Sequence, residues 1–215
     1  MDAGATEAAE MSPDALRALL GELRELDEPL SRRQFDRQIL QGLDFSEVEC
    51  RELSFSGCQL LGCEFERTAF YGCDFSDCRF EGCRFPVSFW RDSRLLRCKG
   101  DGGDFRKARF KGVSLTGSLF RYANFTGSVW DRCTVIGCKF TESVLAEARI
   151  QRTAFSAVDF TGAEFFRTSL RGLDLSDCSL DRISLSESCA ELKGAKINAA
   201  QAAVVARILG IEVLP

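Results

Sequence analysis

The chain has no histidine among its 215 residues, and only four prolines, two methionines, two tyrosines and two tryptophans. Without imidazole there is no Ser-His or Cys-His nucleophile pair, no histidine proton shuttle and no histidine metal ligand. No apolar run is long enough to span a bilayer, and residues 1–10 are alanine-rich and acidic rather than signal-like. Net charge is small, −4, and residues 1–30 alone hold eight acidic against two basic side chains. These absences predict a cytoplasmic protein that is not an enzyme and has no cofactor, no metal, no small-molecule substrate and no membrane partner.

What is plentiful is Phe, Cys and Gly. From Ser31 to Leu185 a large apolar residue falls on nearly every fifth position. Of 31 consecutive five-residue blocks, 29 end in Phe, Leu, Trp, Ile or Val, the exceptions being Cys50 and Gly100. Sixteen of the eighteen Phe residues lie on this lattice. Neither helix nor ordinary strand has a period of five, so the pattern means a solenoid. In extended backbone the residue two positions earlier points the same way, and it is small or aliphatic in most blocks. Four such sides close a square coil of about twenty residues, and coils stack at roughly 4.8 Å. The inward set therefore runs Phe35, Leu40, Phe45 and onward in fives to Leu185.

Nine cysteines, Cys58, Cys63, Cys73, Cys78, Cys83, Cys98, Cys133, Cys138 and Cys178, occupy the small inward position. There they serve as small hydrophobes. Parallel side-chain vectors suit a disulfide badly, and a linear stack does not offer tetrahedral zinc ligands. All eleven are expected reduced. Phe70, Trp90, Phe110, Trp130, Ile150 and Leu170 form one stacked column. Lys99-Gly100-Asp101-Gly102-Gly103-Asp104 breaks the lattice, as a bulge, a kink or a site of close approach; no phosphate-loop motif follows it.

Several blocks resemble the pentapeptide-repeat family, whose motif is Ala-Asp/Asn-Leu/Phe-x-x. Ala123-Asn124-Phe125-Thr126-Gly127 matches it, and Cys73-Asp74-Phe75, Val158-Asp159-Phe160, Ala163-Glu164-Phe165 and Leu173-Asp174-Leu175 are close variants. The resemblance implies an all-β fold, a right-handed quadrilateral β-helix with N-terminal and C-terminal capping helices.

The ends have their own signals. Residues 1–11 read as a disordered tail. Ser12-Pro13-Asp14 starts a helix with Ser as N-cap and Pro at N1, and Met11 is placed to staple onto Leu16. Leu16, Leu19, Leu20, Leu23 and Leu26 make an apolar stripe that Pro29 ends. After Leu185 the register slips by two, making Leu192 and Ile197 inward. Asn198 then caps a helix, Ala199–Leu209, with Gly210 at C′. The expected division is 1–30, acidic tail and capping helix; 31–197, β-helix; 198–215, C-terminal helix and tail. Val204, Val205, Ile208, Leu209, Ile211 and Val213 present more apolar surface than one short helix buries, which predicts a homodimer through this end.

Lys196-Ile197-Asn198-Ala199-Ala200-Gln201, with Leu209-Gly210-Ile211-Glu212-Val213, is similar to the carboxyl end of Qnr-type quinolone-resistance proteins. Arg97-Cys98-Lys99, Gly103-Asp104-Phe105-Arg106-Lys107-Ala108 and Tyr122-Ala123-Asn124-Phe125 are also Qnr-like. This likeness implies a dimeric rod that binds DNA gyrase or topoisomerase IV. As a mimic of B-form DNA, it would protect the enzyme from poisons such as fluoroquinolones or albicidin. The loops that interrupt many Qnr repeats are missing near Leu60–Glu64 and Phe110–Leu119. Under this reading the contact falls on a local acidic patch at Asp159, Glu164, Asp174, Asp177 and Asp181. The basic stretch Arg91–Lys111 spreads along several sides of the coil, so no direct nucleic-acid partner is expected. The competing reading is a generic pentapeptide-repeat scaffold or adaptor with no topoisomerase role.

Overall fold

A computed structural model describes residues 11–214. Helix α1 (Pro13–Leu26) precedes the coil, and helix α2 (Ala199–Ile208) follows it. Between them, short strands two or three residues long recur along the chain and pair in parallel with their equivalents twenty residues away: Phe70 with Trp90, Phe55 with Phe75, Leu40 with Leu60. The result is a parallel β-solenoid with four faces. The first face is a seven-stranded sheet built on Leu30, Cys50, Phe70, Trp90, Phe110, Trp130 and Ile150. The second, also seven-stranded, is centred on Phe35, Phe55, Phe75, Leu95, Leu115, Val135 and Phe155. A third begins as three strands around Leu40, Leu60 and Phe80 and continues by single bridges to Asp159 and Ser179. The fourth, around Phe45, Phe65 and Phe85, is joined by single bridges alone.

Alternation explains the burial. Within a strand such as Ser54–Ser56 only the central residue is buried, and the residue two before it, here Leu53, joins it inside. The rings then stack across coils: Phe65 on Phe85 at 4.6 Å, Phe85 on Phe105 at 4.8 Å, and Phe105 on Phe125 at 4.8 Å. At the small inward position, Sγ of Cys58 donates to the carbonyl of Phe35 at 3.2 Å, as Thr68 Oγ1 donates to the carbonyl of Phe45 at 2.8 Å. Cysteine, serine and threonine thus interchange there because each is small and carries one donor for a carbonyl of the preceding coil.

Gly100 marks a close approach. A Cβ there would stand 2.9 Å from Cε1 of Phe120 and 3.8 Å from Cδ2 of Phe80, so the Phe120 ring occupies the space that the lattice leaves empty. Gly103 is similarly crowded, 2.8 Å from Phe105 Cε2.

Each end is closed by side chains that replace a missing coil. Ser12 Oγ accepts from the Ala15 amide to start α1, and Asp27, in left-handed conformation, ends it. Leu16 and Leu20 are buried on the first coil, and Met11, Leu19 and Leu23 pack around them. Leu26, expected in the stripe, is the last residue of the helix and is exposed. Arg24 donates to the carbonyls of Ser46 and Asp44 at 2.8 and 2.9 Å, groups for which no preceding coil supplies an amide. At the other end Leu185, Leu192 and Ile197 are half-buried against the core, and a short 3-10 turn, Ala190–Leu192, carries the chain across. The proposed tail at residues 1–11 lies outside the described residues except for Met11.

Candidate partner-binding surfaces

The C-terminal end is built by three polar side chains. Asn198 and Gln201 form a reciprocal capping box at the start of α2. Gln201, nearly fully buried, also donates from Nε2 to the carbonyls of Leu175 and Cys178 at 2.7 and 2.6 Å, and Asn198 Nδ2 donates to that of Ser176. Glu191 is only 4% exposed. Its carboxylate accepts from the amides of Arg167 and Ser186 and from the Ser186 hydroxyl, at 3.0, 3.3 and 2.8 Å. It takes the place of a carbonyl that a further coil would supply. Burial pushes its carboxyl up, but these hydrogen bonds outweigh that and hold it below the usual range. Sequence reasoning missed Glu191 and the second role of Gln201. The register slip at 185 is the signal that a polar residue had to close the coil.

Helix α2 stands on this base with an apolar side uncovered. Val204 and Val205 are half-buried, while Ile208, Leu209, Ile211 and Val213 are 36, 51, 55 and 38% exposed, with Leu214 beyond them at 75%. All six predicted interface residues therefore lie at one end of the rod. Beside them an open cleft of about 590 Å³ runs between Thr161, Asp181 and Arg182 on the coil and Val204, Arg207 and Ile208 on the helix.

The five acidic residues do not share a face. Asp174 belongs to the second face and Asp177 to the corner after it; Asp159 and Asp181 flank the third face, and Glu164 lies on the fourth. The spacing of the repeat dictates this, since positions five apart point a quarter-turn apart. Asp177 accepts from the Ser156 hydroxyl and the Ala157 amide, and Asp174 from the hydroxyl and amide of Ser176. Those bonds keep both carboxyls below their ordinary range. Asp159 is also held low: burial works against it, but Thr161, Thr141 and Lys139 prevail.

Elsewhere charges pair along the rod. Arg94 holds Asp74, and Arg97 holds Asp77, each through two bonds of 2.6 to 2.7 Å, and Arg121 holds Asp101. Partners twenty residues apart are vertical neighbours, so Arg94 and Arg97 of the basic stretch are neutralised by the coil before them. On the fourth face acids outnumber bases, Asp44, Glu64, Glu66, Asp104 and Glu164 against Arg84 and Arg106. Yet Asp44 pairs with Arg24, Glu64 with Arg84, Glu66 with Arg67 and Asp104 with Arg106, and Glu164 alone of the five makes no ion pair with a described residue.

Most of the thiols are closed off from solvent. Ten are buried and Cys189 is half-buried, and all are free. Burial pushes Cys73, Cys133, Cys138 and Cys178 up to about 11, so they are protonated at neutral pH. Among the described residues no cluster of three or more Cys, Asp or Glu is arranged to hold a metal ion.

Family models described as pentapeptide repeats match residues 45–91, and residues 102–128 with 143–182. No curated protein matches the chain. Among solved structures, full-length QnrB1, described as a plasmid-mediated fluoroquinolone resistance protein, is 25% identical, with a TM-score of 0.54 over 85% of this chain and 97% of its own. HetL, a pentapeptide repeat protein involved in heterocyst differentiation regulation in the cyanobacterium Nostoc, is 16% identical over 78% of this chain and 88% of its own, at a TM-score of 0.35. A thylakoid-lumen pentapeptide repeat protein of Arabidopsis thaliana is 25% identical over 52% of this chain and 69% of its own, at 0.29. At those scores the last two mark the repeat alone.

Proposed function

The chain belongs to the pentapeptide-repeat family, and from that premise we propose that it binds a type II topoisomerase, DNA gyrase or topoisomerase IV, and protects it from poisons. It works without catalysis, in the cytoplasm, as a homodimer joined at its C-terminal ends. The observation that carries this reading is the likeness to a fluoroquinolone resistance protein along nearly that protein's whole length. The apolar side of α2 supports the dimer, because the same patch from two copies covers what one leaves open. Glu164, which makes no ion pair with a described residue on a face where acids outnumber bases, supports contact with a basic, DNA-gripping surface, and such contact weakens as salt screens it over about 10 Å at 0.1 M.

The test is supercoiling by purified gyrase with a fluoroquinolone, and separately with albicidin. The protein at micromolar concentration is expected to restore supercoiling in at least one case. No rescue with either poison, together with no binding to gyrase or topoisomerase IV, leaves the scaffold reading in its place.

A further inference from the structure

We propose that the first face of the solenoid binds the phosphate backbone of duplex DNA. This goes beyond the topoisomerase reading and stands without it. The outward residues flanking the Trp90 column are Glu49, Ala69, Phe89, Arg109, Val129, Arg149 and Ser169 on one side, and Arg51, Tyr71, Arg91, Lys111, Asp131, Gln151 and Arg171 on the other. Six are basic and two acidic. Both acids are covered: Glu49 by Arg51, and Asp131 by Arg132 and by Arg152 at 2.7 Å. Arg109, Lys111, Arg149 and Arg171 make no ion pair with any described residue. On the opposite, third face the basic Arg79, Lys99, Arg121 and Lys139 are matched by Glu81, Asp101, Asp159 and Asp181. Read along the chain the bases of 91–111 scatter over several sides. Read across coils, three of them join Arg51, Arg149 and Arg171 on one plane.

The shape selects the partner. From Arg51 to Arg171 the six basic residues span six coil steps, about 29 Å at 4.8 Å each, most of the 34–36 Å of one duplex turn. The face is pleated sheet, and a cleft of about 220 Å³ that touches it at Ser169 is lined by Arg167, Thr168, Ala190 and Glu191, which give a peptide's apolar anchor little to pack on. Tyr71 and Phe89 are half-buried against each other at 5.6 Å rather than free for base stacking, so single strands gain nothing there. Three of the four free cations are arginines, whose forked donors match phosphate oxygens. Backbone contact of this kind carries no sequence preference.

The experiment measures anisotropy of a labelled 24-base-pair duplex with the full chain. Four phosphate contacts predict a slope of log K against log salt of about −3.6, a loss of about 150-fold between 50 and 200 mM NaCl. Arg109→Glu, Lys111→Glu and Arg149→Glu together are expected to weaken binding at least 100-fold at 50 mM. Arg79→Glu, Lys99→Glu and Lys139→Glu remove the same charge from the third face and are expected to change it less than fivefold. Thermal melts of both variants within a few degrees of the parent confirm that folding is not what is read. Three results overturn the proposal: no binding at 200 μM protein in 50 mM NaCl, equal losses in the two variants, or competition by polyglutamate as strong as by unlabelled duplex. The last assigns the face to an acidic protein instead.

Discussion

Replacing Gly100 by alanine adds one methyl group to a place where the structure has no room for it. The added Cβ falls 2.9 and 3.0 Å from Cε1 and Cδ1 of Phe120, whereas carbon atoms rest at about 3.5–4.0 Å. The ring must therefore move by about 0.5–1 Å. It is hemmed in by Phe105 edge-on at 5.7 Å, Phe125 edge-on at 5.8 Å and Phe140 stacked at 5.5 Å, all buried. Gly100 does not have the positive φ that alanine resists, so the strain is steric alone. Overpacking of this kind costs about 1–3 kcal/mol, and a chain of this size loses about 2–4 °C of melting temperature per kcal/mol. Urea unfolding read by tryptophan fluorescence is a suitable assay, since Trp90 and Trp130 are buried in the same stack. Phe120→Leu is itself destabilising but makes room for the methyl. The double variant is thus expected to be more stable than the sum of the single losses allows, by about 1 kcal/mol or more. A Gly100→Ala protein with an unchanged urea midpoint, or strict additivity in the double variant, refutes the close-approach account.

Other consequences are open to direct measurement. Glu191→Ala strands two amides and a hydroxyl at the C-terminal end and should cost about 2–5 kcal/mol; amide exchange at Arg167 and Ser186 no faster than in the parent would contradict it. Because Glu191, Asp174 and Asp177 have folded-state carboxyls below their ordinary range, their stabilisation is complete above about pH 4–5. It fades as acid carries the pH down through the lowered values, so the midpoint in urea should fall below pH 4 and stay level from pH 6 to 8. Ile208→Asp with Ile211→Asp should yield a monomer in sedimentation with an unchanged melting temperature; a persistent dimer moves the interface to α1. Ellman's reagent should find no more than one reactive thiol in the native chain, Cys189, and eleven after denaturation; a larger native count means an open wall.

The lattice of Phe, Leu and Trp was legible because a period of five leaves no other fold for such a run of side chains, and residues such as Phe45, Phe65 and Trp90 are buried as that period requires. The helix caps at Ser12 and Asn198 were legible for a local reason, since an N-cap is satisfied within three residues. What closes the coil was not. Glu191 is polar in sequence and interior in space because its partners, Arg167 and Ser186, come from different coils. The emptiness at Gly100 could be seen, but not that Phe120, twenty residues on, fills it. Surface charge was least legible. The acids from Asp159 to Asp181 are near in sequence yet divided among three faces, whereas Arg51, Arg109 and Arg171 are far apart and share one.

The pairing of every strand with its equivalent twenty residues away also sets how such a chain tolerates changes of length. Deleting or duplicating twenty residues shortens or lengthens the rod by a single coil, about 4.8 Å, and leaves every outward column on its own side. Adding or removing five keeps the hydrophobic lattice intact and folds equally well by that criterion. It nonetheless turns all that follows through ninety degrees, carrying Arg149 and Arg171 off the plane they share with Arg51 and Arg109 and breaking any vertical ion pair that straddles the change. Stability sees a period of five, while the surface sees a period of twenty. Insertions in this lineage should therefore come in whole coils wherever a face is in use, and in single blocks only where none is.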